Sequence, residues 1–568
     1  MPKNCIDNVR TKPVGFAPIL AHYFDKCDIV DIVDEHVPTD PRRKVLTHGQ
    51  ACIAMITGIL FQVMQLYRIC QFAKESTVLD VLLPGIQPQE YFDDRLADTL
   101  DALYDFGLDN LETMITGTMI DAFKIRTDIC HNDTTCAQMF GDADNRRSDN
   151  GITITFGYSK QYRKDLKQLV WSLSASSDSA FPLFQQAYSG NTGDVETYVE
   201  QWHRLIDLLG KRDFLFVGDS KVASRANMAH IHDHGGFFVC PLPMYAKYEQ
   251  AFADALDNHG REVLIPYKGR INRGFEVPLV IEHEDREYPF RMIVLFDHGL
   301  FHRRQKSLSQ RVEKTRQAFD LLSSKLNAYR LKSETAIDKA CLSILKKHKT
   351  RDYFTYALHN DPVVTYKNKN RGRPSAKGPV EKVEVVQDRF RIELQFDRSA
   401  YDRALSHAGY YPLVTNRPAA KLPVEDAMMA HKNEYKVEHI FRRAKSGYDL
   451  EPIYLHTPER IATYLFLFKI ALQFVVLIER AARRNIQARD KGLDDFMPNK
   501  KRITARPRRN ICFKSSNTLF TEICVFPTAT IMDSFPSLPM CKATSWQFLT
   551  CPSAATPMAT CSTVHRTR

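Results

Sequence analysis

The stretch Phe214-Leu-Phe-Val-Gly-Asp-Ser220 constrains this chain more than any other. Four apolar residues, a glycine and an acid read as a buried strand that delivers Asp219 to its C-terminal end. Beyond it, Lys221 to His234 carries Val222, Ala226 and Ala229 at helical spacing. A strand that ends in a carboxylate and turns into a helix is where open α/β sheets place ligand-binding groups. An acid in that position can equally cap the next helix. Its meaning depends on which other acids reach it.

A chain of 568 residues has room for several domains and a substantial core. Apolar content of 44% and charged content of 26% are ordinary for a soluble globular protein. The formal net charge of +11 and a pI near 8.9 suit a nucleic-acid partner. Thirteen cysteines are scattered without a CxxC pair, which points to neither a zinc site nor a disulfide framework and favours a reducing cytoplasm. Met1 to Arg10 lacks the apolar segment of a signal peptide. The apolar runs Ala51 to Tyr67 and Ile461 to Ile478 are short and interrupted by Gln62, Gln65, Lys469 and Gln473. They read as buried helices, and no membrane partner is expected.

Residues 1–122 read as a helical domain, with apolar residues at helical intervals in Phe16 to Val30, His48 to Phe72 and Leu96 to Ile120, the last capped by Asp94. From 123 to 244 the pattern turns to mixed α/β. Strands are expected at Phe123 to Cys130, Gly151 to Phe156, Gln168 to Ser174, Phe214 to Ser220 and Gly236 to Cys240, with a helix at Asp194 to Leu209. Residues 245–425 read as a β-rich insertion with one long basic helix, Arg303 to Lys347. A hydrophilic loop, Tyr366 to Ser375, follows it; its Arg371-Gly-Arg-Pro374 resembles an AT-hook core, which would place Arg371 and Arg373 in a DNA minor groove. Helices return over 426–486, and 487–568 forms a basic tail that turns rich in Ser, Thr, Pro and Cys.

Two further acids stand out. Asp133 lies in His131-Asn-Asp-Thr-Thr135, at the end of the first expected strand, where it can share a divalent cation with Asp219 if the strands are neighbours. Downstream, Val437, Ile440, Phe441 and Ala444 make one buried helical stripe. His431, Glu434, Glu438, Arg442 and Lys445 gather on the adjoining face. Such a face either carries exposed i,i+4 ion pairs or holds a metal through its carboxylate and a phosphate through its cations.

In order and context, these pieces resemble the DDE transposases of bacterial insertion sequences, in the branch with a β-rich insertion and a Y-(2)-R-(3)-E-(6)-K signature. The matching residues are His131-Asn-Asp-Thr-Thr135, Gly157-Tyr-Ser-Lys160 with Asp165-Leu-Lys-Gln-Leu169, Tyr188-Ser-Gly-Asn191 with Asp194, Val217-Gly-Asp-Ser-Lys221 with Asn227, and Val437-Glu-His-Ile-Phe-Arg-Arg-Ala-Lys445. Asp93-Asp-Arg95 and the helical region around it resemble the domain that precedes the catalytic core in one group of these enzymes.

The resemblance implies a ribonuclease-H-like mixed sheet flanked by helices, interrupted by the β-rich insertion and preceded by a helical DNA-end-binding domain. It implies that Asp133, Asp219 and Glu438 are the catalytic, metal-binding triad for two divalent ions, Mg²⁺ with Mn²⁺ as a substitute. Lys445 falls at the signature lysine, and Arg442 and His431 at DNA-contacting positions. Two positions depart from the signature: His431 stands for its Tyr and Glu434 for its Arg. Glu434 is also a rival third acid, at the wrong spacing from the lysine. The implied activity is metal-dependent cleavage and strand transfer at terminal inverted repeats, by a homodimer on paired ends, acting on double-stranded element and target DNA in the prokaryotic cytoplasm. Alternatives are a DNA-binding relic without chemistry and a nuclease on the same fold without strand transfer. His230-Ile-His-Asp-His234 is one residue short of a metallo-hydrolase run and reads as a polar helix end, and Trp171 and Trp202 as core. The sequence contains no P-loop, GxSxG or dinucleotide-binding glycine series.

Overall fold

The computed structural model describes residues 10–43, 45–143, 145, 151–159, 163–258, 260–368, 382–488 and 547–550. A short antiparallel ribbon pairs β1 (Arg10–Pro13) with β15 (Gln547–Thr550). Seven helices then precede the sheet: α1 (Ala17–Asp25), α2 (Ile29–His36), α3 (His48–Leu60), α4 (Leu66–Glu75), α5 (Val78–Leu82), α6 (Asp93–Phe106) and α7 (Leu108–Phe123). Thr47 starts α3 with a reciprocal capping box to Gln50. Asp94 does not cap α6. It lies in the first turn after Phe92, where its charge meets the positive end of the helix.

The centre is a mixed sheet of nine strands in the order β4-β3-β2-β5-β6-β14-β9-β8-β7. Its first half uses β2 (Ile129–Gln138), β3 (Gln168–Ser176), β4 (Pro182–Ser189), β5 (Leu215–Val217) and β6 (Phe237–Pro241), with α8 (Asp194–Leu209) and α9 (Arg225–Asp233) between them. The hairpins β2–β3 and β3–β4 are antiparallel, whereas β5 runs parallel to β2 and β6 parallel to β5. Three antiparallel strands continued by two parallel to the first are the ribonuclease-H-like arrangement.

Two sequence expectations need correction here. The first strand starts at Ile129, because Phe123 closes α7 and Lys124 takes a left-handed conformation. Asp133 is therefore mid-strand rather than terminal. The run 151–156 makes no strand; Thr155 forms an isolated bridge to Gln168, and Gly157 and Gly190 cross so closely that a Cβ on Gly157 would stand 1.8 Å from the Gly190 carbonyl oxygen. The glycines quoted from these motifs serve that crossing.

The expected insertion divides in two. After α10 (Ala246–Asn258), β7 (Val263–Tyr267), β8 (Arg270–His283) and β9 (Arg286–Phe296) extend the main sheet. They reach it through β14 (Tyr410–Thr415), which lies between β9 and β6. The remainder has its own small core: α11 (His298–Ser323), α12 (Glu334–His348), β10 (Phe354–Asn360), β11 (Val363–Asn368), β12 (Lys382–Gln387), β13 (Phe390–Phe396) and α13 (Arg398–His407), centred on Phe319, Ile337, Cys341 and Phe354. The single long basic helix expected over Arg303 to Lys347 is thus two helices. The chain turns through left-handed Asn327 and Tyr329 so that both can bury an apolar stripe.

Helices α14 (Val424–Lys432), α15 (Tyr435–Arg442) and α16 (Pro458–Ala488) complete the fold, with a π turn, Arg443–Gly447, after α15. Among the described residues, only α16 is long and apolar enough to cross a bilayer, and its apolar window is entirely buried. It packs against α3, α6, α7 and β4. One hydrophobic core therefore joins the N-terminal helices to the sheet. Inside it, Lys469 Nζ meets Glu112 Oε1 at 2.9 Å, with both side chains fully buried.

Candidate active site

The parallel pairing of β2 with β5 sets His131 opposite Val217. The pairing ends there: Asp133 lies two residues further along β2, and Asp219 two residues beyond the end of β5. Close approach here depends on Gly218: a Cβ would lie 2.6 Å from Val222 Cγ2 and 3.2 Å from Tyr198 Cε1. Asp219 Oδ1 accepts from the Tyr198 hydroxyl at 2.7 Å and from the Lys221 amide at 2.9 Å. Asp133 Oδ1 accepts from the Thr134 amide at 2.7 Å.

Helix α15 covers the Asp133 face of β2. Thr135 pairs with Trp171 across the strands, and the Trp171 ring meets Phe441 of α15 at 5.4 Å between centroids. Residues two apart on a strand share a face, so Asp133 lies on that side too. Val437, Ile440 and Phe441 are the buried stripe, as their spacing predicts. The helix runs along the strand. Lys436 Nζ donates to the Ser177 carbonyl at 2.8 Å near one end of β2, and Lys445 Nζ donates to the Cys136 carbonyl near the other.

Glu438 is exposed on α15, and Lys445 lies in the π turn that follows that helix. Lys445 also pairs with Glu451 at 3.2 Å, and Glu451 accepts from the Gln138 amide at 3.0 Å. Arg442 is exposed. His431 Nδ1 lies 3.2 Å from Glu434 Oε2, and its ring is 5.8 Å from that of Tyr411. Burial, and then Glu434 and Asp219, push the Cys240 thiol well up.

His131, two residues before Asp133, is fully buried. Its Nε2 lies 2.8 Å from Ser177 Oγ, and its Nδ1 has no hydrogen-bond partner among the described residues. Burial, reinforced by Lys436 and His431, lowers its pKa to about 3, so the ring is neutral.

Asp133 lies on β2, Asp219 just beyond the strand that pairs with β2, and Glu438 and Lys445 on the segment that packs along β2. Among the described residues, no three His, Cys, Asp or Glu side chains converge closely enough to hold one ion. Arg371 and Arg373 lie outside the described residues. Sequence reasoning missed Tyr198 and Glu451. Neither carries a local signal, because each is brought to the site from an element distant in the chain. Trp171 and Trp202 are buried in the core, and the 230–234 histidines close α9.

The molecule has a ribonuclease-H-like sheet, with one acid on β2 and another just beyond the adjacent β5. The family model for the transposase DDE domain matches residues 173–474, more than half of the chain, and a domain of unknown function, DUF4277, matches residues 9–116. The chain belongs to the DDE transposase family, whose members depend on divalent metal ions. The match takes in Asp219 and Glu438, while Asp133 lies before it. No curated protein matches the chain. Among solved structures, it is similar to a piggyBac transposase synaptic complex with hairpin DNA, at 7% identity and a TM-score of 0.33, over 94% of this chain and 88% of that one. A likeness of that strength carries no weight here.

Proposed function

We propose that Asp133, Asp219 and Glu438 form the catalytic triad of this transposase. The observation that supports the reading is the parallel pairing of β2 with β5, in which His131 and Val217 are partners and each precedes an acid by two residues, together with the packing of α15, which bears Glu438, on β2. Three carboxylates supply the hard oxygen donors that Mg²⁺ or Mn²⁺ prefers. When bound, a pair of such ions activates the attacking oxygen and stabilises the leaving one in an in-line displacement at phosphorus.

The chain's own part is positional. Tyr198 and the Lys221 amide fix the carboxylate of Asp219, and the Thr134 amide fixes that of Asp133. Glu438 is carried by α15, which Lys436 ties to Ser177 beyond β3 and which the following Lys445 ties to Cys136 of β2. The same acids serve first the nick at the element's end and then the joining of the freed 3′-hydroxyl to target DNA. The N-terminal helices take the end sequence, and Arg442, Lys445, His431, Arg371 and Arg373 contact the DNA backbone or groove. Two protomers act on paired ends in the bacterial cytoplasm.

The test is cleavage of a labelled duplex that carries the inverted repeat flanking the gene, with Mg²⁺, with Mn²⁺ and with EDTA. Metal-dependent cuts at the boundary, lost in Asp219→Asn with DNA binding retained, are expected. Equal cleavage by Asp219→Asn would remove that acid from the triad. Binding by the native chain without any cut would favour a relic.

A further inference from the structure

Positive charge is unevenly spread along the chain. Residues 298–351 hold fourteen Lys and Arg against four Asp and Glu, which nearly equals the net +11 of the whole sequence. The turn between α11 and α12 concentrates this charge further. Thr315 Oγ1 in the middle of α11 lies 2.9 Å from Thr350 Oγ1 just beyond α12, so the last turn of α12 packs beside the centre of α11. Lys314 of α11 is thereby set next to Lys347 and His348. Burial, Lys347 and Lys314 all disfavour the charged form of that histidine.

Lys314, Lys346, Lys347, Lys349 and Arg351 are exposed, Arg311 is half-buried, and none of the six forms an ion pair among the described residues. Basic residues in the last turn of a helix complement its dipole, which accounts for Lys346 and Lys347 in part. It does not account for Arg311 and Lys314, which lie mid-helix. Several cations elsewhere are paired, as with Arg460 and Asp101 or Arg443 and Glu479. A cluster left without acids fits a partner that supplies the negative charge at regular spacing.

We infer that the α11–α12 hairpin is a second, sequence-independent binding surface for the phosphate backbone of duplex DNA, separate from the acid-bearing strands. The inference rests on the transposase reading for its choice of polyanion. A surface of this kind gives salt-sensitive grip on any duplex and adds no base preference.

The probe is a labelled duplex without any element end, bound in EDTA over a series of salt concentrations. A Lys314→Gln/Lys346→Gln/Lys347→Gln triple variant is compared with a Lys164→Gln/Lys247→Gln/Lys421→Gln triple, which changes the net charge equally at exposed sites outside both the hairpin and the N-terminal helices. Each lost phosphate contact lowers the slope of log affinity against log salt by about 0.9, so the hairpin variant is expected to lose about 3 in slope. Its affinity at about 0.1 M salt should fall at least about thirtyfold, with the control triple near the native value. An unchanged slope, or an equal drop in both triples, would overturn the inference. Because EDTA removes the chemistry, failure of the native chain to cleave leaves this measurement intact. Conversely, cleavage at low salt by the hairpin variant tests the acids alone.

Discussion

The Tyr198 hydroxyl donates to Asp219 Oδ1 at 2.7 Å, joining a side chain of α8 to the acid that closes β5. A hydrogen bond to a charged group is worth about 1.5–3 kcal/mol, and each 1.4 kcal/mol is tenfold in rate. Tyr198→Phe should therefore slow cleavage by between about tenfold and a hundredfold. The ring still packs near Phe216, so the melting temperature should hardly move. A metal titration of cleavage checks the assignment: a carboxylate that is merely less well aimed requires more metal, whereas a damaged fold loses amplitude at every concentration.

The identity of the third acid can be decided by two conservative changes. Glu438→Gln should abolish cleavage, a loss of at least about a thousandfold if the group holds metal at the reacting phosphate. Glu434→Gln should retain most of the activity, because its carboxylate already faces His431 at 3.2 Å. The reverse ranking, measured on the same duplex, would move the triad one helical turn upstream.

How much of this was legible beforehand depends on the range of the signal. The strand at Asp219, helix α8 and the stripe of α15 were read correctly because each announces itself over a few neighbouring residues. The strand β4 was missed: Pro182 to Gln185 are buried in succession, and Pro182 to Ser189 shows no apolar–polar alternation. The β-rich stretch gave no sign that β14 would lie beside β6, since that pairing joins residues about 170 positions apart. The basic run read as one helix because charge on an exposed face does not reveal a turn. In the same way, Tyr198 looked like an ordinary core aromatic.

The buried pair of Glu112 and Lys469 yields a stability prediction. Burial pushes the Glu112 carboxyl up to about 7 and lowers the Lys469 ammonium, while Lys469 also donates to Thr116 and Glu112 accepts from the Gln185 amide. Lys469→Met alone leaves a buried carboxyl without its cation and should cost about 3–5 kcal/mol. Adding Glu112→Gln should recover most of that loss. Chemical denaturation of the native chain, the single variant and the double variant gives the comparison; an equal loss in both variants would show that the charges themselves are dispensable.

His131 gives the pH dependence. Its folded pKa of about 3 lies below the ordinary 6.5, so the unfolded chain binds the proton more readily. Its contribution to stability is therefore present above about pH 6.5 and is lost progressively as the pH falls toward 3. His131→Asn should flatten the decline in melting temperature between those limits. An unaltered slope would assign the acid sensitivity to other groups.

Helix α16 touches both halves of the molecule with the same residues. Arg460 grips Asp101, Lys469 grips Glu112, and Arg480 donates to the carbonyls of Phe123 and Lys124. Whatever the N-terminal helices recognise, they cannot be exchanged between relatives like a cartridge, because a graft must also fit α16. A change in end recognition would then have to arise through point substitutions on the outer surface of those helices, under the constraint of a shared interior.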